Sequence, residues 1–283
     1  MNKYFPYYLL AILLLGGCSH PFNERTWEGI TIGKDQDGRL EVILENELIK
    51  VRYGAFDAEN KAGREPQWET AITEFIVKPD TLNLAGRSID AAANRGLLTK
   101  AVIIQEDNFS KTVYMRWAPQ KICPDGVQEI TIFKDKPYIK IEYLAYDVNV
   151  VDISNGGGNY AIYGAEKWVR DFIPYPGVYF DRFHTDYENI VKPDPPDGGP
   201  LNYNNHFIMG LYHEESGLGW GRVVPVEAIP IIKLLPWEGK GFELFPWWNW
   251  SKVAYTCYIF GVRNGEEEII NLGKKIVDEN SNE

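Results

Sequence analysis

The sequence is poor in histidine and cysteine, with four histidines and three cysteines among 283 residues. It also lacks the GxGxxG, Walker, HExxH, CxxC and GxSxG patterns. These absences argue against the common nucleotide-binding, zinc-protease and serine-hydrolase classes. After the first apolar stretch, no apolar run is long enough to span a bilayer as a helix. Any chemistry must therefore use residues that no short motif marks.

Basic charge is the second shortage. The chain has 29 Lys and Arg against 40 Asp and Glu, and its formal net charge is −11. Nucleic acid binding needs a basic surface that neutralises phosphates, so the composition argues against a nucleic acid partner. An anionic sugar is not excluded, because a few local arginines can reverse the field inside one cleft.

The N-terminus has the order of an export signal. Lys3 precedes a short apolar stretch, Leu9–Leu15, which is followed by the sequence Leu-Gly-Gly-Cys ending at Cys18. A stretch this short is typical of a signal peptide rather than a membrane span. The ending resembles the lipobox of bacterial lipoproteins. That resemblance implies cleavage after residues 1–17, acylation of Cys18 and a lipidated tether over residues 18–38. The alternative is an ordinary secretory signal with a chance cysteine.

If the lipobox is used, the protein lies in the cell envelope, anchored to the outer membrane on its periplasmic or surface face. Cys123 and Cys257 would then be in a compartment that permits disulfides. Two cysteines so far apart in sequence can pair or can both remain buried thiols, and the sequence leaves both possibilities open.

Runs with β-branched and aromatic residues, separated by turn residues at regular spacing, predict many short strands. No alternation of strands with helices appears, so a parallel α/β sheet is not expected. We predict an all-β fold, a large antiparallel β-sandwich formed as a single domain by residues 39–283. One C-terminal helix is expected, with Asn264 as N-cap and Glu267 completing a capping box. Its apolar face comprises Ile269, Ile270, Leu272, Ile276 and Val277.

The first candidate site lies before a loop rich in Pro and Gly. In an extended segment, Tyr179 lies on one strand face while Arg182 and His184 share the other. An arginine beside a histidine could bind a carboxylate and move a proton next to it. The alternative is an exposed polar face with both side chains in water.

The second candidate site follows that loop. His206 opens an apolar strand, and Tyr203 and Asn205 precede it. A histidine at the start of a strand is more often structural, but the neighbouring hydroxyl and amide groups favour a functional role.

The third candidate site is an aromatic segment near the C-terminus. Three of the four residues 247–250 are tryptophan, and they follow Pro246. Such rings cannot all occupy one core face, so Trp247 and Trp248 are candidates for stacking on sugar rings. Glu243 alternates with apolar neighbours and points to solvent or into a site. Arg170 belongs to a looser polar and aromatic set. The alternative is that the aromatic rings cap the core.

Two segments resemble one enzyme superfamily. Residues 44–51, Leu-Glu-Asn-Glu-Leu-Ile-Lys-Val, resemble the opening hairpin of galactose-mutarotase-like β-sandwiches. Residues 205–211, Asn-His-Phe-Ile-Met-Gly-Leu, are similar to the segment that carries a catalytic histidine in aldose 1-epimerases. The resemblance implies that His206 transfers protons and that Glu243 is a base. Polysaccharide lyases and accessory lipoproteins of Bacteroidota polysaccharide-utilisation systems share this sandwich, and the chain resembles them in composition.

Our leading hypothesis is a lyase or dehydratase that degrades uronic-acid-containing oligosaccharides by β-elimination. Removal of the C5 proton builds negative charge on the carboxylate, so a site needs a cation, a base near C5 and an acid for O4. Arg182 or Arg170 could be the cation, with Asn205 assisting. The base could be His206 or His184, and the acid Tyr179 or Tyr203. Trp247 and Trp248 would stack on the sugar.

Two alternatives remain open. One is an epimerase or glycosidase on the same fold, with His206 and Glu243 as acid and base. The other is a glycan-binding surface protein without chemistry, whose histidines are structural. No cofactor is expected. Asp194 and Asp197 could touch Ca²⁺, but two carboxylates are too few to predict a metal site.

Overall fold

The computed structural model describes 14 parts of the chain. These are residues 27–57, 68–85, 89, 91–92, 96–118, 126–144, 157–160, 169–172, 190–191, 203–213, 216–225, 231–237, 241–247 and 255–280.

The described residues form 17 strands and one helix. Their bounds, in chain order, are β1 (Ile30–Lys34), β2 (Leu40–Glu45), β3 (Ile49–Asp57), β4 (Trp68–Val77), β5 (Ala91–Ala92), β6 (Leu98–Glu106), β7 (Ser110–Trp117), β8 (Gly126–Phe133), β9 (Tyr138–Tyr143), β10 (Gly157–Tyr160), β11 (Val169–Phe172), β12 (Ile190–Val191), β13 (His206–His213), β14 (Gly219–Pro225), β15 (Ile231–Trp237), β16 (Gly241–Trp247), β17 (Tyr255–Val262) and α1 (Gly265–Asn280).

The strands form antiparallel sheets. One has eight strands in the order β11-β13-β14-β17-β9-β8-β7-β6. A second has four strands in the order β1-β2-β3-β4, and a third has five in the order β12-β15-β16-β10-β5. Ile89 exchanges two 2.8 Å backbone hydrogen bonds with Ile72 of β4, close to where β5 begins. This isolated bridge brings the chain just before β5, an end strand of the five-stranded sheet, beside β4 of the four-stranded sheet.

The main core lies between the eight-stranded and four-stranded sheets. Successive strand residues point to opposite faces, so every second residue of β7 and β8 is directed inward. Val113 and Met115 of β7 and Ile130 and Ile132 of β8 are fully buried. They share one apolar cluster with residues of the facing sheet, among them Val42, Leu44, Ile49, Val51, Phe75 and Val77. Each such side chain contributes about 1.5–3 kcal/mol of transfer free energy.

The outer face of the eight-stranded sheet is covered by α1. Ile269, Ile276 and Val277 of the helix pack with Ile208 and Phe260 in a second apolar cluster. Glycines allow this close approach, since a Cβ on Gly273 would lie 2.4 Å from Cγ2 of Ile208. The all-β sandwich with one C-terminal helix, predicted from the sequence, is thus confirmed.

The prediction of a tether over residues 18–38 is wrong at its C-terminal end. Strand β1 lies within that range and pairs with β2, with Ile30 opposite Leu44. Ile30 is buried, and Ile32 packs against the main core. The alternation is only Ile-Thr-Ile, too short to stand out in the sequence, but it is stabilised by the neighbouring strand.

The capping carboxylate of α1 is Glu268 rather than the predicted Glu267. Its Oε2 accepts the backbone N–H groups of Arg263 at 2.6 Å and Asn264 at 2.8 Å. Gly265 has a φ of +62°, which is not helical, so the helical geometry starts one residue later than expected. The third helical position accordingly falls on Glu268.

Cys257 is fully buried, and its Sγ lies 3.6 Å from Nη2 of Arg222, another buried residue. Cys123 lies outside the described residues. Within the part of the chain described here, no helix has the length and apolar character needed to cross a membrane.

Replacing Gly273 by Ala tests the packing of α1. Alanine favours a helix over glycine by about 1 kcal/mol. At this position the new Cβ would collide with Ile208, and overpacking costs about 1–3 kcal/mol. Because the propensity gain offsets part of this cost, we expect G273A to lower the free energy of unfolding in urea by up to about 2 kcal/mol. The matched control is Asn271→Ala on the exposed side of the helix, which should be neutral or stabilising. A G273A protein more stable than the wild type would contradict this packing.

Candidate functional site

The predicted site residues fall into three groups. Cys18, Tyr179, Arg182, His184 and Trp248 lie outside the described residues, as do the loop residues Asp194 and Asp197. For Arg170, Glu243 and Trp247 the structure gives the strand and its register. For Tyr203, Asn205 and His206 it also describes the side-chain environment, and these three residues form the site considered below.

A tight turn brings Tyr203 and His206 together. The backbone N–H of His206 donates to the carbonyl of Tyr203 at 3.1 Å. Asn204 and Asn205 have φ values of 51° and 61°, and positive φ at both central positions is typical of a type I′ turn. Asparagine tolerates this conformation better than other non-glycine residues, which explains the Asn-Asn pair.

The ring of His206 is oriented by this turn. Its Nδ1 lies 2.7 Å from the carbonyl oxygen of Asn204. A carbonyl oxygen only accepts, so Nδ1 must carry the proton. In the neutral ring Nε2 is then the basic nitrogen. The side chain is half-buried and lies on the α1 side of the sheet, because it alternates with Ile208 and Tyr212 of the outer cluster.

Tyr203 is anchored to the C-terminal end of α1. Its hydroxyl donates to the two carboxylate oxygens of Asp278 at 2.9 and 2.8 Å. Asn204 Nδ2 adds a longer contact to Asp278 at 3.4 Å. The hydrogen bond to Asp278 raises the pKa of Tyr203, and desolvation and the carboxylate's charge act in the same direction. A hydroxyl whose proton is held this firmly is a weaker acid than free tyrosine.

Lys274 brings a positive charge to the same turn. Its Nζ lies 5.5 Å from the centre of the Tyr203 ring. Lys274 and Asp278 are four residues apart in α1 and so share one helix face. Sequence reasoning missed both because they follow Tyr203 by more than 70 positions. Their helical spacing was visible, but nothing indicated which turn that face would meet.

Three other predicted residues lie in described strands, and strand pairing places none of them beside His206. Glu243 and Trp247 lie on β16 in the five-stranded sheet, whereas His206 begins β13 of the eight-stranded sheet. Arg170 of β11 pairs with Tyr212, six positions along β13 from His206, which is about 20 Å of strand. The cation at this turn is Lys274, which lies over the Tyr203 ring.

Among the described residues, no group of three or more His, Cys, Asp and Glu side chains is placed to hold a metal ion. The chemistry available at the turn is that of an oriented imidazole, an amide, an anchored phenol and an ammonium group.

No known protein family matches the sequence, and no curated protein matches it significantly. Among solved structures, the α-N-acetylgalactosaminidase NagBb of Bifidobacterium bifidum without ligand is similar at a TM-score of 0.46 and 12% identity. Its complex with GalNAc gives 0.46 and 11%. Each match covers 90% of this chain and 38% of the enzyme. The chain thus spans about two fifths of that protein, and similarity this low supports no inference about activity.

Asp278→Asn tests the anchoring of Tyr203. Losing the charge should move the pKa of Tyr203 down towards its ordinary value, since the carboxylate is what raises it. Because the folded pKa lies above the unfolded one, the contact stabilises the fold at neutral pH and is lost as pH rises through the folded value. The measurement is a pH titration of ¹³Cζ-labelled tyrosine by NMR, with Tyr203→Phe identifying the signal.

The control for this titration is Glu267→Gln, which removes a negative charge from an exposed position at the other end of α1. It should leave the Tyr203 titration unchanged. A Tyr203 titration that is the same in D278N and in the wild type would show that the contact does not exist in solution.

Proposed function

We propose that this protein degrades oligosaccharides that contain uronic acids by β-elimination, with His206 removing the C5 proton. The observation that carries the proposal is the 2.7 Å contact between Nδ1 of His206 and the Asn204 carbonyl. That contact orients the imidazole and assigns its basic nitrogen, and a general base needs both a fixed direction and an unprotonated atom.

Lys274 supports the same proposal. Proton removal next to a carboxylate spreads negative charge onto that carboxylate, so a nearby cation lowers the barrier. The ammonium group of Lys274 lies 5.5 Å from the centre of the Tyr203 ring. Tyr203 forms a backbone β-bridge with His206. Asn205 has an exposed side chain and could hydrogen-bond the sugar or its carboxylate.

The acid that protonates O4 is better assigned to Tyr179 than to Tyr203. The hydroxyl of Tyr203 is held by Asp278, and its raised pKa makes it a poor proton donor. Tyr203 would instead position the turn against α1. The other residues keep the roles expected from the sequence. Arg182 would be a cation and His184 a second candidate for the base. Trp247 and Trp248 would stack on the sugar.

The proposal includes a location. The protein would be an acylated lipoprotein of the cell envelope, anchored through Cys18, and part of a polysaccharide-utilisation system of Bacteroidota type. Its sandwich would belong to the galactose-mutarotase-like superfold. Export would give the enzyme access to extracellular polysaccharide fragments.

The experiment is an assay of the full-length protein with a panel of uronic-acid oligosaccharides, read as the ultraviolet absorbance of an unsaturated uronate. His206→Ala should reduce kcat at least about 100-fold with an unchanged thermal unfolding temperature, as expected for loss of a general base. Imidazole in the buffer should restore part of the activity. The control variant is His20→Ala, which removes a histidine that precedes the described residues.

Three results would overturn the assignment. An H206A protein with wild-type turnover would exclude His206 as the base. A flat absorbance trace over the whole panel would exclude elimination. Turnover of neutral glycosides without an unsaturated product would favour the epimerase or glycosidase alternative.

Lys274→Ala tests the role of the cation. Without it, the charge that builds on the carboxylate during proton removal is less stabilised, so kcat/KM should fall about three- to tenfold, and the difference should shrink at high salt. Lys275→Ala is the matched control, since it removes the same charge from the neighbouring exposed position of α1. Equal effects of the two substitutions would show that only the overall charge matters.

A further inference from the structure

A groove of about 850 Å³ lies at one end of the sandwich. Its walls are the β2–β3, β6–β7 and β8–β9 turns, and Trp27 lies beside them. We name it the turn groove. Its volume is within the range of sites that bind small molecules, and its described lining residues include none of those predicted from the sequence to be catalytic.

Asn46 ties two of the three turns together. Its Nδ2 donates to the carbonyls of Phe133 at 2.7 Å and Lys136 at 2.8 Å, in the β8–β9 turn. Its Oδ1 accepts the backbone N–H groups of Leu48 and Ile49. Asn46 is 4% exposed and uses both ends of its amide, so the β2–β3 turn is held at a fixed distance from its neighbour.

The third turn presents an exposed aromatic ring to the groove. Phe109 is 76% exposed, although burial of a phenyl ring is strongly favoured. Oδ1 of Asp107 accepts the backbone N–H groups of Phe109 and Ser110, each at 2.7 Å. The carbonyl of Phe109 accepts the N–H of Lys134 at 2.8 Å. Its backbone is therefore fixed on both sides while its ring remains in water.

The base of the groove is also built from packed residues. Trp27 donates its indole N–H to the carbonyl of Glu45 at 3.2 Å. Gly29 has a φ of +60°, and a Cβ there would lie 2.8 Å from the Trp27 ring, so only glycine fits. The Lys111 side chain is 7% exposed and forms an ion pair with Glu106, and its Nζ lies 5.7 Å from the Trp27 ring.

The charge of the groove selects against anions. Its lining includes four carboxylates but only the two lysines Lys111 and Lys134, and Lys111 is paired with Glu106. A uronate or phosphate would meet a negative field here. Sugar hydroxyls, in contrast, donate to carboxylates, and the C–H face of a neutral sugar ring packs on an aromatic face.

We propose that the turn groove binds a neutral saccharide chain, with one sugar ring stacked on Phe109 and its hydroxyl groups donating to the surrounding carboxylates. The site is independent of the His206 chemistry. This arrangement suits a polysaccharide that contains both neutral sugars and uronic acids. The turn groove would bind the neutral sugars, and the His206 site would bind the uronic acids.

The test is isothermal titration of the full-length protein with xylotetraose, mannotetraose, cellotetraose and galactotetraose, and with tetragalacturonate as the acidic counterpart of the last. At least one neutral member should bind, and any binding of tetragalacturonate at the His206 site should be insensitive to substitution of Phe109. Phe109→Ala should weaken the neutral ligand about tenfold or more, consistent with loss of one stacked ring. The matched control is Ile104→Ala, an apolar side chain 50% exposed on β6.

The double substitution E47Q/D135N removes two negative charges from the lining and should strengthen tetragalacturonate binding. In this background, Phe109→Ala should still weaken binding of the neutral ligand. Three outcomes would overturn the proposal. They are no binding by any neutral member, equal binding of the neutral ligand by F109A and the wild type, and a loss of tetragalacturonate affinity in F109A as large as that of the neutral ligand. The folded state of each variant is checked by its unfolding temperature, and F109A is expected to be unaffected because its ring is in water.

Discussion

The packing of α1 across the outer face of the eight-stranded sheet assembles the His206 turn and links it to one wall of the turn groove. Glycines on either side of the interface make this approach possible. A Cβ on Gly210 would lie 3.0 Å from Cδ1 of Ile269, and Phe260 lies directly over Gly221. Asp278, near the end of the helix, then receives the hydroxyl of Tyr203 and fixes the His206 turn. A shift of α1 by one turn would separate these partners.

The next residue of the helix contacts a turn that forms one wall of the turn groove. Glu279 accepts a 2.8 Å hydrogen bond from Nζ of Lys136, which belongs to the β8–β9 turn that walls the turn groove. Partial burial acts to lower the pKa of Lys136, but the interactions with Glu279 and Tyr138 together outweigh it, and the pKa is raised well above its ordinary value. The same bond lowers the pKa of Glu279. Both groups therefore stay ionised around neutral pH.

The sequence predicted the sandwich well because strand alternation is a local signal. The hairpin of β2 and β3, with Asn46 at its turn, was readable from apolar residues at every second position. Strand β1 was missed because its three alternating residues gain stability only from β2, which no local pattern reveals. The capping residue was misplaced because of a non-local contact of the same kind. The carbonyl of Gly217 accepts the backbone N–H of Gly265 and fixes where the helix begins.

For the sites, local chemistry was predictable and its surroundings were not. Tyr203, Asn205 and His206 are neighbours in sequence, so their clustering could be recognised. The ammonium group of Lys274 and the carboxylate of Asp278 reach them only through the docking of α1. Likewise the turn residue Asp107 is visible in the sequence, but the contact between the Phe109 carbonyl and the N–H of Lys134 in another turn is not. The two sites differ in charge, with a cation beside the Tyr203 ring and excess carboxylates in the groove.

The tautomer of His206 is the most direct test of this account, because the proposed base is the nitrogen that the Asn204 carbonyl leaves unprotonated. With only four histidines in the chain, ¹⁵N-histidine labelling and long-range ¹H–¹⁵N NMR can resolve each ring, and H206A assigns the signal. The account predicts a protonated Nδ1 and an unprotonated Nε2 in the neutral ring of His206. A neutral ring protonated at Nε2 would contradict it, because that nitrogen could not then accept the C5 proton.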